Sequence, residues 1–446
     1  MVSYEQRESA FLWILDQLQS GEVAVPLVAR DFSAEDWAFV FEGIPSDLRM
    51  DLWDTLADER KAPILAAMRD DSRNQLLGRL PTEDIELLAN TSSTEDLVEI
   101  IDVLPRKLAA GLIKKLSPQG RDVIGAALTY DEDQLGRYVN YDVYTVDRSD
   151  TIGDILDDLR AQELPDYTDS FLVVDESQHY LGQVDINQLL SADEDAKVIE
   201  IAEYVEQVLN ADMDLLDASD AVKGSGRSML PVINKDGRLL GRFSIKDALD
   251  VFQEYYDAQV SHMGKVSDED LFAPVFTSAR RRAVWLGINL LTAFAASAVI
   301  GVFDQVVAQV VALAVLMPIV ASMGGITGSQ TLTLTIRGLA TGQLAQSNLR
   351  ALGNKEVLVA FFNGVLWAIV VSVIASIWFD NPLLSIIIAF ALVINMLVAA
   401  FAGIGIPVLL DRMGIDPALA GSVILTTVTD VVGFFVFLGA AALFLV

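Results

Sequence analysis

The last third of the chain is a series of long apolar runs separated by short charged turns. Uncharged stretches cover Ala283–Phe303, Gln305–Ile336, Val357–Phe379 and Asn381–Leu410, and Pro417–Val446 is interrupted only by Asp430. A bilayer core of about 30 Å takes about 20 helical residues to cross, and each run is long enough. The pattern predicts five transmembrane helices, at about 283–303, 305–340, 356–379, 382–410 and 417–446. Arg280, Arg281, Arg282, Arg337, Arg350, Lys355 and Arg412 fall on alternate turns, whereas the turns around Asp304 and Asp380–Asn381 carry no Lys or Arg. Cytoplasmic loops are the ones enriched in Lys and Arg. The amino terminus is therefore expected in the cytoplasm and the carboxyl terminus outside, in a multi-pass protein of the inner (cytoplasmic) membrane. Met1–Ser20 lacks the basic-then-apolar order of a cleavable signal peptide.

The polar two-thirds has two patterns. Residues 1–130 show short amphipathic stretches, several beginning at Ile44–Pro45, Leu80–Pro81 and Leu104–Pro105. Proline is well tolerated at a helix start, so this part reads as an all-α superhelical array of irregular period. Residues 137–255 hold an internal repeat. Phe171–Leu190 aligns without gaps onto Leu230–Leu249, each reading as strand, turn, strand with Leu-Gly, then helix. Asn234-Lys235-Asp236-Gly237 is an explicit turn. The two halves, 137–196 and 197–255, resemble a tandem pair of CBS domains, α/β modules that often bind adenosine nucleotides such as ATP. Ser244 and Asp247 match the Ser/Thr-x-x-Asp pattern that holds ribose there, and Asp185–Gln188 does not, so the resemblance implies one nucleotide site. A purely structural, dimerising pair is the alternative.

Charge and composition narrow the chemistry. The chain carries 62 acids against 31 bases, and all but six acids and four bases precede Ala283. So acidic a polar region excludes nucleic acid as a partner and favours divalent cations, or simply a solvated surface. There is no cysteine, and His179 and His262 are the only histidines. Oxygen ligands remain, which suit Mg2+, Ca2+ or Mn2+. Asp247, Asp250, Glu254 and Asp257 recur at helical spacing, placing four carboxylates on one face. A bound divalent cation would relieve their mutual repulsion; a solvated face is the alternative. From Asp250 on, this face lies in the segment 249–282, which links the repeats to the first apolar run. No phosphate-cradling loop or nucleophile–base pair marks an enzyme.

The apolar runs carry their own polar chemistry. Asp430 lies mid-span, where a carboxylate costs about 2.5–3.5 kcal/mol on insertion scales and by default marks a functional site. Ser422, Thr426 and Asp430 follow at i+4 steps with Gly433 one turn on, and Asp416-Pro417 opens the run. As one helix, Val306–Ala340 would span roughly 53 Å at 1.5 Å per residue, so a break is expected at Pro318 or Gly324-Gly325. Gly325, Gly328, Ser329 and Thr333 then read as lining a water-filled path, or else as a small-residue packing face. A stripe of hydroxyls leading to one carboxylate suits a hydrated hard cation.

Met323–Ala340, Asp416–Gly433 and the order helical domain, CBS pair, five membrane helices together resemble an MgtE-type magnesium transporter. The resemblance implies a homodimeric, channel-like Mg2+ importer. The aspartate at position 430 would hold the ion, Asp416 would sit at the cytoplasmic mouth, and cytosolic Mg2+ would close the gate through a plug-like connecting helix, here about Leu249–Met263. The chain departs from the family pattern at Ile326, Ser329 and Ser422, where asparagine is usual or common. It also departs at Gly226, Gln253, Tyr255, Ala258 and Gln259, where acids are usual. Broader selectivity, taking in Co2+ and Mn2+, and a weaker or relocated cytosolic sensor are expected. An ion-coupled transporter with Asp430 as the coupling acid, and a membrane-tethered nucleotide sensor, are the competing readings.

Overall fold

The computed structural model describes residues 4–21, 25–82, 84, 85, 88, 97, 98, 100, 101, 104, 106–161, 164, 168–203, 207–266 and 271–445. Most of the helical stretch expected after Pro81, and the start expected at Pro105, lie outside them. The chain divides into two units, each taken by itself: Met1–Asp257 with Asp268–Val275, and Ala258–Ser267 with Phe276–Val446.

The first unit begins with short helices packed on a core that includes Ile14, Trp37, Phe41, Ile44, Trp53 and Leu65. Ser33 opens the helix Ala34–Gly43 with a reciprocal capping box to Asp36, which satisfies two otherwise orphaned amides. Two buried arginines repeat one construction. Arg49 donates to the Ile44 carbonyl at 3.0 Å and the Glu42 carbonyl at 3.4 Å. Arg73 donates to the Met68 carbonyl at 2.8 Å and the Ala66 carbonyl at 3.4 Å. Each guanidinium thus satisfies carbonyls at the end of the preceding helix.

The internal repeat folds as two three-stranded sheets. Strands β1 (Thr145–Asp147), β2 (Ser170–Val174) and β3 (Tyr180–Asp185) form one; β4 (Leu209–Asn210), β5 (Met229–Ile233) and β6 (Leu239–Ser244) form the other. In each, the first pair is parallel and the second antiparallel, with a register shift at Val173/Val174 and at Val232/Ile233. The turns are equivalent. Asn234 Oδ1 accepts from the amides of Asp236 and Arg238, and Asp175 Oδ1 accepts from those of Ser177 and His179. The His179 amide bond, with Ser177 assisting, holds the Asp175 carboxyl below the usual range. Gly237 takes φ +80°, and Gln178 takes φ 64° in the first repeat. The Leu-Gly signature has a steric cause. A Cβ at Gly182 would lie 2.9 Å from the Glu203 carbonyl, and one at Gly241 would meet the Asn140 carbonyl and lie 2.7 Å from Val139 Cγ1. Neighbouring backbone crosses both strands at that point.

Among the described residues, five helices are long and apolar enough to cross a membrane: Val275–Val302, Ala312–Ala340, Leu349–Phe379, Pro382–Arg412 and Pro417–Phe444. Hydropathy marks the crossing part, but the first and third helices start well before it. Arg280–Arg282, Arg350 and Lys355 are helical, as befits good helix formers. The break expected in the second run is also elsewhere. A short helix, Asp304–Gln309, stops at Val310, and Ala312–Ala340 is then continuous through Pro318 and Gly324-Gly325. The interruption falls among Val306, Val307, Val310 and Val311, whose branched side chains lower helix propensity slightly. The fourth helix is the spine. It packs against the second, third and fifth, and 56% of its most apolar window is buried, against 6% for the first helix.

Candidate functional site

Asp430 is half-buried in the middle of the fifth helix and has no hydrogen-bond or ion-pair partner among the described residues. One turn before it, Thr426 Oγ1 donates back to the carbonyls of Ser422 at 3.1 Å and Val423 at 3.0 Å. Two turns before it, the Ser422 hydroxyl is buried and has no hydrogen-bond partner among the described residues. The threonines satisfy their own protons locally, so the oxygen lone pairs and the carboxylate remain as acceptors. On the second helix, Ser329 and Thr333 are exposed, and a Cβ at Gly325 would meet open space.

Two glycines expected along a path instead serve packing. Gly328 is buried beneath Leu425, whose Cδ1 would lie 2.8 Å from an added Cβ. The Gly328 carbonyl would lie 2.9 Å from a Cβ at Gly403 of the fourth helix. Gly433 is buried against Asn395, at 2.7 Å from Nδ2 by the same test. These are close helix approaches of the kind small residues permit in membranes.

Three residues of this unit had no part in the sequence reading of the site. Asn395 is fully buried on the fourth helix. Glu356, at the predicted start of the third helix, is 5% exposed. It accepts a hydrogen bond from Thr331 Oγ1 at 3.3 Å, pairs with Lys355 at 3.2 Å, and borders a cavity of ≈ 200 Å³ that Ile326 also lines. His262, at the end of the connecting helix Ile245–Met263, places Nδ1 2.6 Å from Asp416 Oδ2. The other oxygen of Asp416 caps the fifth helix, accepting from the Ala418 amide at 2.8 Å, where a negative charge also suits the helix dipole.

The four acids of the connecting helix do not converge. Asp247 and Ser244 form a reciprocal cap, at 2.8 and 3.2 Å, and Asp185 with Gln188 forms the same cap in the first repeat. Asp257 accepts from Arg69 of the helical domain at 2.8 Å. Asp250 and Glu254 are exposed. Among the described residues no three His, Cys, Asp or Glu side chains are placed to hold a metal ion. Gly226 takes φ +70° as the left-handed cap of the helix Leu215–Ser225, a backbone role that glycine fills at least cost. It borders a cleft of ≈ 380 Å³ with Asp169, Ser170, Asp185, Asn187 and Arg227.

Five apolar helices with a polar stripe, following a helical domain and a CBS pair in sequence, define the class as a membrane transporter. Residues 317–440 match the MgtE family, described as a divalent cation transporter; residues 32–133 match the MgtE intracellular N domain, and 135–195 and 197–254 match CBS domains. The chain belongs to the MgtE family of divalent cation transporters. It is similar to the magnesium transporter MgtE of Bacillus subtilis, 22% identical over all of this chain and 99% of that one. It is 28% identical to the magnesium transporter MgtE of Thermus thermophilus, over 90% of this chain and 93% of that one. Among solved structures, the cytosolic domain of the Mg2+ channel MgtE in complex with ATP is 22% identical, with a TM-score of 0.48, over 54% of this chain and 99% of that one.

Proposed function

We propose that the chain is a channel-like importer of Mg2+ that works as a homodimer in the inner membrane, with its amino terminus cytoplasmic and its carboxyl terminus outside. The observation that carries this is the partnerless Asp430 at the end of the Ser422–Thr426 stripe. A half-buried, ionised acid with no protein partner is stabilised in a membrane by water or a cation beside it. Mg2+ dehydrates reluctantly and is held through its water shell, so hydroxyls and one carboxylate are adequate ligands. The magnesium transporters named above support Mg2+ as the cargo, and Ile326, Ser329 and Ser422 in place of amides support entry of Co2+ and Mn2+ as well.

Cytosolic Mg2+ gates the path through the helical and CBS domains, with the end of the connecting helix held at the mouth by His262 and Asp416. An adenosine nucleotide occupies the CBS pair. Ser244 and Asp247 are the residues offered to its ribose, and the pair also opens a ≈ 380 Å³ cleft lined by Asp169, Asp185 and Arg227. The test is divalent-cation uptake in a host deficient in Mg2+ transport, with wild type against Asp430→Asn. Uptake by wild type alone is expected. Equal uptake by both would make Asp430 a packing residue and overturn the reading.

A further inference from the structure

The fourth helix buries one amide in an otherwise apolar or small-residue face. Asn395 is 0% exposed, and its Nδ2 donates to the Val320 carbonyl of the second helix at 2.9 Å. Val320 lies between Pro318 and Gly324-Gly325, the two weakest points of that helix. Proline removes one ladder hydrogen bond, and glycine lowers helix stability by about 1 kcal/mol relative to alanine. The amide therefore pins the backbone where it resists bending least. It also fills two slots cut by glycines. A Cβ at Gly324 would lie 2.8 Å from Asn395 Cγ, and one at Gly433 would lie 2.7 Å from Nδ2 and 3.2 Å from Oδ1. Gly433 is one turn from Asp430 on the fifth helix. One side chain thus contacts both helices that carry the polar stripes.

Its other end is unusual. Asn395 Oδ1 is buried and accepts no hydrogen bond among the described residues. The amide cannot flip to relieve this, because Oδ1 would then face the Val320 carbonyl. A leucine of similar volume would fill the site without an unsatisfied acceptor, so packing alone does not call for asparagine here.

We infer that Asn395 is a positioning residue for cation passage, setting the spacing of the second and fifth helices at the level of Asp430. This rests on the function proposed above. The experiment uses purified full-length chain in proteoliposomes, comparing wild type, Asp430→Asn, Asn395→Leu, Gly433→Ala and Asn395→Ala/Gly433→Ala. It records melting temperature together with uptake of Mg2+, Co2+ and Ca2+. Asn395→Leu is expected to melt no lower than wild type while the Co2+/Mg2+ or Ca2+/Mg2+ uptake ratio shifts by about tenfold, because misplacing a binding group by an ångström has effects of that order or more. Gly433→Ala pushes on the same amide and should shift the ratio likewise, and truncating Asn395 in the double variant should partly restore it. Unchanged ratios in both Asn395→Leu and Gly433→Ala, with wild type active and Asp430→Asn inactive, would overturn the inference alone. Lower melting temperatures with unchanged ratios would make Asn395 a packing residue. Uptake undiminished in Asp430→Asn would overturn the underlying function as well.

Discussion

The contact between His262 and Asp416 gives a prediction whose size can be worked out. The carboxylate can only accept, so Nδ1 of His262 carries the proton of this 2.6 Å bond. Hydrogen bonds to charged groups contribute about 1.5–3 kcal/mol when sheltered. The two side chains are 24% and 28% exposed, and screening at partly exposed sites lowers that to about 1–2 kcal/mol. Losing it shifts the attachment of the connecting helix by roughly tenfold. His262→Ala leaves the helix cap alone, since the Ala418 amide is held by the other carboxylate oxygen. Protein level and fold should therefore be preserved. Asp416→Ala removes both and should cost about 1 kcal/mol more in stability, while Asp416→Asn keeps an oxygen for the cap. On the gating proposed above, His262→Ala is expected to take up Mg2+ about tenfold faster than wild type in Mg2+-replete cells. In Mg2+-starved cells the two should be alike. Equal uptake by both proteins in replete cells, at equal abundance, would show that the contact holds nothing shut.

Other consequences follow from the same geometry. Arg73→Met deprives the Met68 and Ala66 carbonyls of their donor and should destabilise the helical domain by about 2–4 kcal/mol, read as earlier loss of that domain in limited proteolysis of the full chain. Gly241→Ala drives a methyl into the Asn140 carbonyl and Val139 and should cost about 1–3 kcal/mol of stability in thermal unfolding; no change would mean that the crossing backbone moves aside freely. Asp175 has a folded pKa held below its unfolded value. Its contribution is thus full above the unfolded value and is lost as pH falls through the folded one. Asp175→Asn, which copies Asn234 of the second repeat, should flatten the acid side of the stability profile, measured by circular dichroism melts across pH.

What could be read from the sequence depended on how local the cause was. Five membrane helices follow from apolar length alone, but the helix ends do not, because the flanking arginines and lysines are themselves good helix formers. The CBS repeat was legible because equivalent positions do equivalent work: Asp175 and Asn234 close the turns, Gln178 and Gly237 take positive φ, and Gly182 and Gly241 let backbone pass. The helical domain looked irregular because its repeat is carried partly by buried guanidinium groups at Arg49 and Arg73, which a scan for apolar periodicity counts as polar. Asn395, Glu356 and His262 draw their meaning from partners 75, 25 and 154 residues away, and no local pattern encodes that.

The second helix shows why the polar stripe was only half readable. Small residues in a membrane helix leave room either for water or for another helix, and composition does not say which. The structure separates the two. Gly324, Gly328, Thr331 and Thr335 are buried toward neighbouring helices, while Ser329 and Thr333 face outward and Gly325 meets open space. Both sets recur at helical spacing, so both look alike in sequence. What distinguishes them is the fourth helix, where Gly403 and Asn395 come within contact of the packed set. On the function proposed above, the outward set, with Ser422, Thr426 and Asp430 on the fifth helix, would serve a hydrated cation. Substitutions on the two faces should accordingly separate: the packed face should lose stability first, and the outward face should lose uptake while melting as wild type does.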